Sequence, residues 1–158
     1  MANTQSMCTS FMGELMTATH NFGTAPTRGA STADTFKAAL YLTTATVNAS
    51  TTAYSATNEA SGAGYTGGGV AVTNATPPSA TNASATAGVS YWTPSASITY
   101  TSVTLSTAFD TVLIYNNTQS NKAVSVHTFG SQTVTAGTFT LTMPSNTTST
   151  ALLRLATT

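Results

Sequence analysis

The chain has 158 residues, enough for one domain with a real hydrophobic core, but only four Lys or Arg and four Asp or Glu, with a formal net charge of zero. Ordinary soluble domains are about 25% charged; here charged residues make up 5%, and Thr, Ser, Ala and Asn fill the gap. Four cations spread from Arg28 to Arg154 make neither a nucleic-acid groove nor a polybasic membrane patch, and no apolar run is long enough for a spanning helix.

The N-terminus, MANTQSMCTSFMGEL, lacks a basic segment and a continuous apolar segment, so it does not read as a secretory signal. Cys8 is the only cysteine, which precludes an intramolecular disulfide and fits synthesis in a reducing cytoplasm. With Ser and Thr so frequent, the N-x-S/T triplets at Asn48, Asn74, Asn82, Asn116 and Asn146 carry no glycosylation signal. Residues 5–22 carry the helical pattern. Met7, Phe11 and Leu15 repeat at i, i+4, beside Cys8, Met12 and Met16, and Gly13 weakens the helix. Such a stripe needs a covering surface. Residues 1–24 are therefore set apart as an N-terminal helix or arm, and residues 25–158 as one β domain.

From residue 33 onward period-2 patterns dominate. Thr35–Thr43 places Phe36, Ala38, Leu40 and Leu42 on one face, and Val70–Val72 is a short strand. Residues 74–88 (NATPPSATNASATAG) have no periodicity and read as a long loop or arm. Val89–Thr93 is a strand, with Tyr91 and Trp92 covering the core at its end. In Ser97–Ser106 the alternation changes phase between Tyr100 and Val103, which predicts a bulge at Thr101–Ser102. Thr111–Tyr115 is a continuous apolar run, expected to be covered on both faces, with Asp110 in a turn before it. Lys122–Phe129, Thr138–Met143 and Thr150–Ala156 complete the set. The stretches NNTQSN, GSQTVTAG and PSNTTS supply turns. The predicted fold is mainly β: an antiparallel β-sandwich or barrel with one short N-terminal helix.

The stretch Gly62–Gly69 (GAGYTGGG) matches G-x-G-x-x-G. That fingerprint binds a dinucleotide only between a strand and a helix, with an acid about 20 residues on. Here SATNEAS precedes it, VAVTNATPP follows it, and no acid lies between Glu59 and Asp110. It reads as a backbone turn anchored by Tyr65, either packed on another chain or mobile. No cofactor is expected. Glu14, Asp34, Glu59 and Asp110 show no paired-carboxylate spacing, and His20, His127 and Cys8 form no metal signature. Cys8 among Met and Phe has a setting that raises a thiol pKa. No catalytic residue is expected. Trp92 with the six tyrosines offers the one small-ligand alternative, a sugar-stacking platform.

The order of motifs CTSFMGELMTATHNF, then DTFKAALYLTTATVNASTTAYSATNEASGAGYTGGGVAV, then FDTVLIYNNTQSNKAVSVHTFGSQTVTAGTFTLTMP, then LLRLA resembles a family of small all-β virion proteins of tailed bacteriophages. The likeness spans most of the chain except residues 74–97. It departs from the family in its low charge and in Met12, where relatives carry Lys. Glu59 and Tyr65 match the family's T-x-E-x-x-G-x-G-Y segment. The resemblance implies a structural, non-catalytic virion component made in the host cytoplasm. In particular it implies a capsid decoration or cement protein on the capsid surface, bound to the major capsid protein as a homo-oligomer, expected to be a trimer. A neck or tail part or a host-carbohydrate-binding head fibre is the alternative. Phe11, Leu15 and Tyr65 are the expected protein–protein contact residues.

Overall fold

The computed structural model describes residues 3–16, 19–22, 33–74, 78–80 and 88–156. In chain order these form β1 (Ser6–Met7), α1 (Thr9–Met16), β2 (Phe36–Leu42), β3 (Val70–Val72), β4 (Ser79–Ala80), β5 (Val89–Trp92), β6 (Ile98–Asn116), β7 (Lys122–Leu141) and β8 (Leu153–Ala156). Two antiparallel sheets result, one ordered β1-β7-β6-β2-β3 and the other β4-β5-β8. They form an open sandwich rather than a barrel. Trp92 of β5 packs over Phe36 of β2, and Leu153 of β8 joins the same core.

The β6–β7 hairpin is the backbone of the molecule. Two pairs of short strands were expected; each pair is instead one strand, of 19 residues in β6 and 20 in β7. Asp110 therefore lies within β6, not in a turn, and GSQTVTAG is strand rather than loop. Each long strand gives the other a hydrogen-bonding partner, so turn-forming residues do not break either one. The irregularity is absorbed by shifts of register between Tyr100 and Thr111. One shift falls where the phase change placed it: the pairing jumps between Tyr100 and Val103, and Ser102 adopts a φ of 54°. The jump turns Val103 and Leu105 into the core alongside Tyr100. The run Thr111–Asn116 is buried throughout, covered on both faces as its composition predicts.

The N-terminal segment departs from the expected helix over 5–22. Its start pairs as an edge strand, Ser6 opposite Val126, and the helix occupies only Thr9–Met16. The Thr19 N–H donates to the Glu14 carbonyl at 2.9 Å, an i to i+5 closure that ends the helical ladder. Of the segment 74–88, Ser79–Ala80 pairs with β5; residues 75–77 and 81–87 lie outside the described residues. β8 begins at Leu153 rather than Thr150, and of its two leucines Leu153 is buried while Leu155 is 41% exposed at the sheet edge. Among the described residues no helix is long and apolar enough to cross a membrane.

Candidate functional site

The glycine stretch packs on its own sheet. Ala63 bridges Thr104 of β6, and a Cβ at Gly64 would fall 3.2 Å from the Val103 Cα. At Gly69, where φ is +73°, a Cβ would overlap the Ala38 carbonyl and lie 2.8 Å from the Ala39 Cα. Only glycine satisfies both the left-handed backbone and the close approach. The loop is seated on β2 and β6 of its own chain, with Gly62, Ala63, Gly64, Thr66 and Gly67 exposed on its outer side. Three of its N–H groups are spent internally. Tyr65 N–H donates to the Gly62 carbonyl, Gly69 N–H to the Thr66 carbonyl, and Gly68 N–H to the Glu59 carboxylate at 2.8 Å. A carboxylate thus stands where a phosphate would have to bind, and strand β3 follows instead of a helix.

Glu59 is the hub of this region. Its Oε1 also accepts from Tyr65 Oη at 2.7 Å, and its Oε2 accepts from Tyr54 Oη at 2.7 Å. Tyr65 Oη in turn accepts from the Leu40 N–H at 3.0 Å. Tyr115 donates to the Gly68 carbonyl, Tyr100 to the Ala38 carbonyl and Tyr41 to the Ser55 carbonyl. Tyr54 stacks on Tyr115 at 4.8 Å, and Tyr65 on Tyr100 at 5.9 Å. Burial, and next the negative Glu59 nearby, push the Tyr115 phenol up to about 12. Burial likewise takes Tyr41 to about 12, and Tyr54, Tyr65 and Tyr100 also rise. Each of these hydroxyls donates a hydrogen bond that braces the loops against the sheet.

A second polar network ties the N-terminal segment to the turn end of the hairpin, where Asn116 pairs with Lys122. Lys122 Nζ donates to Glu14 Oε1 at 2.6 Å, and His20 Nε2 lies 2.6 Å from Glu14 Oε2. Asn116 Nδ2 reaches both His20 Nδ1 (3.1 Å) and Asp34 Oδ2 (2.7 Å). Asp34 also accepts from the Asn21 N–H and from Gln119 Nε2. Burial pushes the Glu14 carboxyl up, but hydrogen bonds from Lys122 and His20 outweigh it and hold the group below its ordinary value. Burial holds His20 below its ordinary value despite Glu14.

The three expected contact residues separate. Phe11 is buried under its own chain, edge-on to His20 at 4.8 Å and to Phe22 at 5.9 Å. The surface that covers Phe11 is therefore internal. Tyr65 is half-buried with its hydroxyl committed to Glu59 and Leu40. Leu15 is half-buried and lines an apolar groove with Met7, Tyr91, Leu153 and Leu155. Trp92 is 2% exposed, packed on Phe22 and Phe36, so it offers no stacking face for a sugar.

No family model, no curated protein and no solved structure matches this chain. Chemistry must therefore be judged on the residues themselves. Among the described residues no three His, Cys, Asp or Glu side chains gather to hold a metal. Burial pushes the Cys8 thiol up to about 11, away from a nucleophilic thiolate. Ser125 Oγ lies 2.9 Å from His127 Nε2, but burial takes His127 down to about 4, too weakly basic to activate a buried hydroxyl well.

Sequence reasoning missed both hubs. Glu59 follows Tyr54 by five residues and precedes Tyr65 by six, which matches neither strand nor helix spacing. His20 and Asp34 meet Asn116 across separations of 96 and 82 residues. The one local signal was the co-occurrence of Tyr, Glu and Gly in YSATNEASGAGY.

Proposed function

We propose that this chain is a structural component of a tailed-phage virion, a capsid decoration protein that binds the shell of major capsid protein and reinforces it as a homo-oligomer. The observation that carries the reading is the division of polar groups between inside and outside. Glu14, Asp34, Glu59 and Lys122 are engaged in internal hydrogen bonds. The far half of the β6–β7 hairpin, by contrast, presents Thr99, Thr101, Ser106, Thr107, Thr138 and Thr140 to the outside, and no charged residue lies in 99–107 or 131–142. Thr99 faces Thr140 across the strands with hydroxyls 3.4 Å apart.

A rigid hairpin with a neutral, hydroxyl-covered face suits a part whose work is contact. Neutral hydroxyls can hydrogen-bond a neighbouring subunit with little desolvation cost compared with ions. Many copies on a lattice add weak contacts into a strong one. The phage resemblance supplies the assembly in which this happens, and a trimer is the expected unit. Reconstitution tests it. Purified protein should bind capsids stripped of it, saturably and in many copies per particle, and should sediment as an oligomer. A chain that stays monomeric at high concentration and never binds capsids would sink the proposal.

A further inference from the structure

The described N-terminal residues lie across the β core and are held in two different ways. At the start the hold is mostly backbone. Thr4 N–H donates to the Val47 carbonyl and Cys8 N–H to the Val124 carbonyl, β1 pairs with β7, and the Asn3 side chain bridges Val47 and Asp110. At the far end the hold passes through His20, whose side chain has no exposure to solvent, and through Asn21, whose N–H donates to the Asp34 carboxylate and whose carbonyl accepts from the Asp34 N–H.

The protonation state of that ring follows from the hydrogen bonds around it. Asn116 Oδ1 accepts from the Thr118 and Gln119 N–H groups, each at 3.1 Å, which fixes the orientation of its amide. Its Nδ2 therefore offers one proton to Asp34 Oδ2 and the other to His20 Nδ1. Nδ1 must accept, so Nε2 carries the proton and donates to Glu14 Oε2. The ring is neutral and locked in one tautomer. A second proton has no place except Nδ1, where it would point at the amide hydrogens of Asn116. Turning the amide over only moves the conflict, since its NH2 would then face the Thr118 and Gln119 N–H groups.

The charged and titratable groups that face the ring are Glu14 from α1, Asp34 ahead of β2 and Lys122 from β7. The two carboxylates favour a second proton, whereas Lys122 and burial oppose it. Phe11 closes one side of the ring. Two residues on, Phe22 stacks on Phe36 at 4.5 Å and meets Trp92 at 4.8 Å.

We propose that His20 is a proton-operated latch: protonation breaks its clamp to Asn116 and withdraws Phe22 from Phe36 and Trp92, while β1 keeps the start of the segment docked. The device lets acidity decide whether an aromatic face of the core is covered. It stands on the geometry of residues 14–16 and 19–22 with Asp34 and Asn116, and is independent of the virion reading.

Trp92 is the chain's only tryptophan, so its fluorescence reports the latch, and His20 and His127 are the only histidines, so both ring resonances can be followed. The full-length protein is taken from about pH 8 to about pH 4, through and below the ordinary histidine range, because burial holds His20 below it. The expected result is a red shift of Trp92 emission and a loss of its protection from acrylamide, coincident with titration of the His20 ring and with the far-UV β signal unchanged. His127→Gln should retain the transition and His20→Gln should lack it. Trp92 emission that stays flat, a transition that survives His20→Gln, or one that coincides with loss of the β signal would each overturn the latch. If His20→Gln fails to fold, the wild-type ring titration decides alone: a His20 ring that titrates without any change at Trp92 refutes it.

Discussion

Gly69→Ala isolates the reason for the glycine-rich stretch. The new Cβ would overlap the Ala38 carbonyl, and the backbone would have to hold a φ of +73° with a side chain present. The left-handed conformation alone costs about 1–2 kcal/mol. Relieving the overlap lifts the loop from β2, which strains the Gly68 N–H bond to Glu59 and the Tyr115 bond to the Gly68 carbonyl. A neutral hydrogen bond contributes about 1 kcal/mol and one to a carboxylate about 1.5–3 kcal/mol. The expected loss is up to roughly 3.5–6 kcal/mol, a large share of the 5–15 kcal/mol typical of a domain. Urea denaturation followed by far-UV circular dichroism measures it. Gly67→Ala is the control, because a Cβ there meets only the Glu59 carboxylate at 3.9 Å; it should stay within about 0.5 kcal/mol of wild type. Equal stability of Gly69→Ala and wild type, or equal damage from both substitutions, would refute the packed-loop reasoning.

Phe11→Ala should destabilise the fold by about 3–5 kcal/mol, read by the same urea titration, because the ring is 2% exposed within its own chain. Titration with NAD, NADP, FAD or ATP should give neither saturable binding nor a thermal shift, since Glu59 already takes the Gly68 N–H; a micromolar affinity lost in Gly64→Val would reverse that view. Glu14 has its folded pKa lowered, so its stabilisation is present above the unfolded carboxyl value and is lost as pH falls through the folded one. Glu14→Gln should therefore flatten the acid limb of a stability–pH curve measured below about pH 4.5. Tyr41 and Tyr115, raised to about 12, should remain un-ionised near pH 10 and ionise on unfolding, which ultraviolet difference spectra can follow. Their raised values give stability present below the ordinary phenol pKa and lost as pH rises through about 12.

The legible parts of the chain were those governed by local alternation. Phe36–Leu42, Val70–Val72 and Val89–Trp92 lie within a residue of their expected bounds, although Phe36–Leu42 buries Ala39 and Tyr41 as well as the expected face. The bulge at Ser102 was legible for the same reason, as a break in that alternation. The joining of short strands into β6 and β7 was not, because it depends on the partner strand: Gly130–Gly137 has loop composition, yet β6 runs beside it. The helix is shorter than expected because Ser6–Met7, within the apolar stripe, pairs with β7 as a strand and the backbone turns away at Thr19. The buried hubs lie beyond any local pattern, since Glu59 and His20 acquire their roles only from residues brought together by the sheets.

The most direct test of the virion role is an image reconstruction of the intact phage particle at a resolution that separates strands. The expected result is density fitting the β6–β7 hairpin and its two sheets, repeated over the capsid lattice, with the uncharged Thr99–Thr107 and Ser131–Thr142 face against a neighbouring subunit. A well-resolved particle with no such density in head, neck or tail, while the chain is abundant in the infected-cell lysate, would contradict a structural role in the virion.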